Sequence, residues 1–419
     1  MILPDGFTGS VLAAESVADM RVLLNGPAGC RNRYMVLVRQ LFPRGEDDER
    51  FALPYFKGQA RVPCTYIDED DFINGGGGKV ADALRVIKSV CDDTVMIIDT
   101  PGSALIGDDH GKAVSDADME GRAFALGGTL ISLGFAESYD STLRCIVEFI
   151  RPAELETVPR TVNIVGYPMT DNDWRHGLAH LRELLGAMGL TVTAAIGAGA
   201  STDDIRASVG AEANVVVYPE YARELTGYME SEYGVRTVVS PAGAPVGLHG
   251  TEVWIRTIAD ALGVDPSGAL AMCSAARGAI RDAILSDRSR IKQLQGMSFG
   301  VDGVPSLAYP LTVWLHDYLG MVPASVMLNP DGDGTCRGSL EGYLSDLGLG
   351  SVVGDPLPDY CDVVLTNGQD AMHLQENRRC GVGIDVAFPS TREIVLLPRP
   401  TIGIPGSLMI VEEILNSMW

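Results

Sequence analysis

Arg21-Val22-Leu23-Leu24-Asn25-Gly26-Pro27-Ala28-Gly29-Cys30 is the stretch from which this chain can be read. A short apolar run, Val22-Leu23-Leu24, ends in a Gly-Pro turn, and Cys30 follows where a helical pattern starts. Short apolar run, glycine or proline turn, then amphipathic helix is the local grammar of a strand feeding a helix in an α/β fold. The same rhythm recurs along the chain. It predicts strands at Thr94–Ile98, Thr161–Val165, Thr191–Ala195, Asn214–Val217, Thr237–Ser240, Met297–Gly300, Ala324–Leu328, Val363–Thr366 and Glu393–Leu397. Helical patterns at His176–Met188, Glu220–Tyr233, Glu252–Leu262 and Leu311–Leu319 fall between them. Strands alternating with helices imply mostly parallel sheets covered on both faces. The rhythm restarts twice, so the expected architecture is α/β with three Rossmann-like, doubly wound domains over residues 1–157, 158–290 and 291–419. Sites in such folds lie at the carboxyl ends of strands and in the clefts between domains.

At 419 residues the chain is long enough for several cores, and its net charge of −23 argues against nucleic acid or an anionic membrane surface as a partner. No apolar stretch reaches the length of a membrane span, and no basic-then-apolar leader opens the sequence. Eight cysteines, scattered and without a CxxC pair, fit a reducing compartment better than a disulfide framework. A cytoplasmic location is the expectation.

Two glycine-rich pieces invite nucleotide readings that their neighbours refuse. In Asn74-Gly75-Gly76-Gly77-Gly78-Lys79-Val80, Ile73 stands where a phosphate loop needs glycine and Val80 where it needs Ser or Thr. Gly197-Ala198-Gly199-Ala200-Ser201-Thr202 lacks the third glycine of a dinucleotide fingerprint. Neither ATP hydrolysis nor NAD binding is expected of this chain.

Cys30 and Cys64 carry the chemistry. Cys30 sits at a predicted helix start, where unpaired N–H groups and the helix dipole favour thiolate, the form that ligates iron. Gly26 and Gly29 would let backbone amides approach sulfur closely. Cys64 follows 34 residues later, ahead of Asp68-Glu69-Asp70 and the glycine run. Spacing alone leaves buried structural cysteines as the alternative, since free cysteine is among the most buried residue types.

Taken together, these motifs carry a resemblance. Gly26-Pro27-Ala28-Gly29-Cys30, Cys64 with its acidic and glycine-rich sequel, Ile106-Gly107-Asp108-Asp109, Val162-Asn163-Ile164-Val165-Gly166, Tyr228-Met229-Glu230-Ser231-Glu232-Tyr233-Gly234 and Pro400-Thr401-Ile402-Gly403-Ile404-Pro405-Gly406 resemble, in this order, the nitrogenase component 1 family. The resemblance implies three Rossmann-like domains and an iron-sulfur cluster held between subunits of a homodimer or of a heterotetramer with a paralogous subunit. It also implies a separate ATP-dependent iron-sulfur reductase that supplies electrons. Cys30 and Cys64 fall on two cluster cysteines of that family, with Gly26, Pro27 and Gly29 as the surrounding turn. The third family cysteine is replaced within Asp99-Thr100-Pro101-Gly102-Ser103, so two thiols per subunit would make a shared 4Fe-4S cluster. Tyr218 stands where the nitrogenase α subunit has the cysteine that anchors its catalytic cofactor, which points away from an iron-molybdenum subunit. The expected function is a subunit of a nitrogenase-like reductase that reduces a substrate in the interdomain cleft. The alternatives are a scaffold that holds a metallocluster or tetrapyrrole without turnover, and a structural partner that completes a dimer.

His249, in Pro245-Val246-Gly247-Leu248-His249-Gly250-Thr251 at a loop-to-helix junction, is the candidate proton donor. His110 follows two aspartates that would favour its charged form, while His176, His180, His316 and His373 read as ordinary helix or loop residues. Cys91, Cys145, Cys273 and Cys361 read as packing residues, whereas Cys336 and Cys380 read as loop cysteines open to reaction. Asp331-Gly332-Asp333-Gly334 starts like a calcium loop but lacks its closing Glu, and is read as a turn.

Overall fold

Three sheets form among the described residues, one of three strands and two of four, and every strand pairing is parallel. The computed structural model describes residues 4–38, 62–127, 133–286, 292–329, 334–390 and 397–417. The chain divides into two units, Met1–Ala153 with Gly199–Arg206, and Glu154–Ala198 with Ala207–Trp419.

In the first unit β1 (Met20–Asn25), β2 (Thr94–Asp99) and β3 (Ala123–Ala125) lie in the order β1-β2-β3. β1 is buried along its whole length, as a strand covered on both faces must be, and its register runs from Met20 against Thr94 to Asn25 against Asp99. The helix Gly77–Val90 presents Val80, Ala81, Leu84 and Ile87, one apolar stripe at three- and four-residue spacing, to Leu23, Val95 and Ile97. The helix Gly6–Glu15 starts at Asp5, whose side chain caps the Thr8 N–H, and is buried throughout. It crosses Phe135–Ile150 so closely that a Cβ on Gly9 would lie 2.3 Å from the Phe135 carbonyl oxygen.

The second unit holds two sheets. β4 (Val158–Val165), β5 (Thr191–Ala195), β6 (Ala211–Val216) and β7 (Arg236–Val238) take the order β5-β4-β6-β7. β8 (Ser298–Gly303), β9 (Val322–Leu328), β10 (Cys361–Asn367) and β11 (Cys380–Ala387) take the order β11-β10-β8-β9. In each sheet the chain leaves the first strand to one side and returns to the other, which creates a switch point at the carboxyl ends of β4 and β6 and of β8 and β10. One apolar cluster spans both sheets, with Trp254 and Trp314 its largest members. The indole N–H of Trp254 donates to the Val216 carbonyl at 2.9 Å.

Most expected strands are present within a residue or two. β3 has three residues, too few to leave a pattern. β11 is diluted by Gly381 and Gly383, and the latter is required by packing: its Cβ would stand 2.3 Å from the Ala371 carbonyl oxygen. The expected helix Glu220–Tyr233 is two elements, a 3-10 turn at Pro219–Tyr221 and a helix from Arg223, broken at Ala222. The helix expected from Leu311 begins at Pro305, where proline is at home in a first turn, and ends in a π turn over Trp314–Tyr318. Cys336 and Cys380, read as loop cysteines, are a buried helix residue and the buried first residue of β11. Burial pushes the Cys380 thiol up to about 11, which makes it inert. Residues 393–396 of the expected strand Glu393–Leu397 and residues 331–333 of the expected turn lie outside the described residues. No described helix is long and apolar enough to cross a membrane.

Candidate functional site

Asn25 ends β1, and Gly26-Pro27 turn the chain into the helix Ala28–Val38, whose first turn carries Cys30. The segment that bears Cys64 runs beside this turn. Leu24 N donates to the Pro63 carbonyl at 2.9 Å, Thr65 N to the Leu24 carbonyl at 2.9 Å, and Ile67 N to the Gly26 carbonyl at 3.2 Å. Cys64 therefore pairs with the end of β1 as a single parallel bridge, and its thiol donates to the Gly26 carbonyl oxygen at 3.1 Å. The structure thus sets Cys64 against the turn that carries Gly26, Pro27, Gly29 and Cys30. Cys64 is buried and Cys30 half-buried, and both thiols are free.

The electrostatics of Cys64 tie the two segments together. Burial pushes its thiol pKa up, while the Tyr66 backbone N–H and the Arg31 guanidinium pull it down and Cys30 adds a raising contribution. Tyr66 adopts the left-handed region at φ 53°. Its carbonyl is held by Lys79 Nζ at 3.3 Å, and the same ammonium pairs with Asp68 at 2.9 Å and with Asp71.

Behind the turn lies a polar layer built on the carboxyl ends of β1 and β2. Thr65 Oγ1 accepts from Gly26 N at 3.1 Å and donates to Asn25 Oδ1 at 2.9 Å. Asn25 Nδ2 donates to Asp99 at 2.8 Å, and the other Asp99 oxygen meets His110 Nε2 at 2.8 Å. Burial works against charge on His110, yet Asp99, with Asp108 and Asp109 near, keeps its pKa above the usual histidine value. Asp108 accepts from Gly76 N at 2.9 Å and from Gly77 N at 3.1 Å, so the glycine run lays its amides on a carboxylate of the chain itself. Thr100 and Ser103 follow the end of β2, with their hydroxyls 2.9 Å apart. Gly26 has to be glycine here, because a Cβ would stand 2.2 Å from Thr100 Cγ2.

His249 lies in the second unit, exposed on the first turn of the helix Gly247–Leu262. A cluster that sequence reading passed over lies at the β4–β6 switch point of the same unit. Asp171 accepts from Tyr218 Oη at 2.7 Å and from Tyr167 Oη at 3.2 Å, all three buried. Burial raises the Asp171 carboxyl to about 7, against the two hydroxyl bonds that favour its ionised form. Gly166, directly after β4, was the available signal: at φ 68°, a Cβ there would lie 2.4 Å from the Tyr218 carbonyl oxygen.

The sequence profile of the nitrogenase component 1 type oxidoreductases matches residues 6–418. The chain belongs to the nitrogenase component 1 family. Relatives of this component 1 chain include light-independent protochlorophyllide reductase B subunits. That of Heliobacterium modesticaldum is 23% identical over 278 residues, 63% of this chain and 50% of that protein. That of Chlorobium limicola is 24% identical over 292 residues, 64% of this chain and 53% of its own length. This chain thus spans about half the length of these relatives, although the match to the corresponding protein of a Synechococcus species reaches 98% of this chain and 81% of that protein at 23% identity. The solved structure of nitrogenase Cp1 at pH 6.5 superposes with a TM-score of 0.77 over 100% of this chain and 92% of its own, at 16% identity, which establishes a shared fold.

Proposed function

We propose that this chain is the cluster-holding component of a nitrogenase-like reductase that accepts electrons from an ATP-dependent iron-sulfur partner and passes them to a substrate. The observation that carries this reading is that the Cys64 thiol is fastened to the Gly26 carbonyl in the turn that leads to Cys30, with neither cysteine in a disulfide. The donor set fits half of a four-thiolate site. With the thiols of Cys30 and Cys64 as this chain's two sulfur ligands, a second subunit would supply the others. When bound, a 4Fe-4S cluster supplies one-electron storage at low potential.

The residues around the thiols suit that arrangement. The Tyr66 N–H gives the Cys64 sulfur a backbone hydrogen bond of the kind that tunes cluster potentials. Thr100 and Ser103 close the turn from behind with hydroxyls satisfied within the chain. In the same unit, Tyr66, Phe72, Ile73 and Leu105 are 39%, 44%, 81% and 83% exposed, apolar surface that a second subunit would cover. His249, on an exposed helix start, is the residue we assign to proton donation. The similarity to protochlorophyllide reductase B subunits favours a conjugated, hard-to-reduce substrate over dinitrogen.

Iron, acid-labile sulfide and electron paramagnetic resonance on anaerobically purified protein test this reading. About two irons per chain and a 4Fe-4S signal after reduction are expected for a cluster shared by two identical subunits. No iron after anaerobic reconstitution, alone or with a paralogous subunit, would overturn it. Turnover that requires both the partner protein and ATP separates a reductase from a scaffold.

A further inference from the structure

Arg31 follows Cys30 on the helix Ala28–Val38, yet its side chain turns inward and the residue is only 8% exposed. Its Nε donates to the Val62 carbonyl at 3.0 Å, two residues before Cys64. One side chain therefore leaves the segment of the first cysteine and anchors the segment of the second. Burial lowers the pKa of its guanidinium, and Tyr66, Cys64 and Tyr34 act in the opposite direction. A guanidinium stays charged in such surroundings, so a full positive charge is held inside the turn.

We propose that Arg31 is the counter-charge for the Cys64 thiolate, and that it sets the reduction potential of whatever cluster that thiolate helps to hold. This inference rests on the reading of the two cysteines as ligands. Each thiolate brings negative charge into a site with little water, and each added electron brings more. A buried cation beside the sulfur stabilises the reduced state over the oxidised one, because a coulombic interaction is stronger where the effective dielectric is low. The chain would then accept an electron at a less negative potential than two thiolates in an uncharged pocket would allow. Arg31 also positions: its bond to Val62 holds the Cys64 segment at the end of β1, as the backbone bonds from Leu24 and Thr65 do.

The test is a potentiometric titration, followed by electron paramagnetic resonance, of the full chain with its cluster reconstituted anaerobically. R31Q removes the charge and R31K keeps it while losing the Nε bond. R31Q should lower the midpoint potential by at least the equivalent of a tenfold change in the reduced-to-oxidised ratio, about 59 mV for a one-electron couple. R31K should stay within half that shift of the wild type. A purely structural role would instead lower iron content in both variants without moving the potential of the cluster that remains. If R31Q does not fold by circular dichroism, R31M, which keeps volume without burying an amide, carries the same expectation. An R31Q or R31M cluster with the wild-type potential overturns the proposal and leaves the ligand reading standing. Absence of iron from the wild type and all variants overturns both.

Discussion

The Cys64 thiol donates to the Gly26 carbonyl oxygen at 3.1 Å, so the second cysteine is fastened to the turn that introduces the first. The two differ in surroundings. Cys64 is packed beneath the turn and Cys30 is half-buried at its rim. Replacing Cys30 by Ala should leave stability within about 0.5 kcal/mol, whereas Cys64→Ala should cost about 1–2 kcal/mol through the lost buried contact. Both should remove most bound iron. Iron and sulfide content, measured beside urea unfolding, would show whether ligation and packing separate in this way.

Gly26→Ala tests the closeness of the turn to Thr100. The new methyl would meet the Thr100 side chain at 2.2–2.8 Å, and that side chain is buried. A loss of about 1–3 kcal/mol is expected from overpacking. Thr100→Ala in the same chain should recover part of it, and a double-mutant cycle by chemical denaturation would measure the coupling.

The His110–Asp99 pair makes stability depend on pH in a defined direction. Its folded pKa is raised, so its contribution is fully present below the ordinary histidine value of 6.5 and is lost as pH rises through the folded value. His110→Gln should flatten that part of the stability profile. Urea midpoints from about pH 6 to pH 9 would reveal it, and an unchanged slope would count against the pair.

Asp171 acts in the same sense as His110, the reverse of the usual carboxylate case. Its folded pKa of about 7 lies above the unfolded one, so the folded state holds the proton more tightly. The contribution is present below about pH 4 and is lost as pH rises towards about 7, on the order of 4 kcal/mol. Asp171→Asn cannot ionise and should remove this loss. Comparing the two proteins at about pH 5 and about pH 8 by denaturation checks the sign directly.

Much of the fold was legible because parallel, buried strands leave continuous apolar runs: Val22-Leu23-Leu24 and Val363-Val364-Leu365 read as strands without help. β11 did not, because Gly383 answers to the helix Gly368–Glu376 and Gly381 to the Asp362 carbonyl of β10, and not to the strand's own pattern. Cys336 and Cys380 misread for a related reason. Their neighbours in sequence are polar and loop-like, while their neighbours in space are not.

The sequence by itself determined the order of the elements, the two candidate thiols and the glycines of their turn, since these depend on residue type and short spacing. Tertiary structure alone decided that Cys64 lies against Gly26, that Arg31 turns inward, that the glycine run serves Asp108, and that Asp171 is sealed between Tyr167 and Tyr218. The physical reason is the same in each case. Burial, desolvation and hydrogen-bond partners come from segments tens of residues away, and a side chain's chemistry follows that company more than its place in the chain.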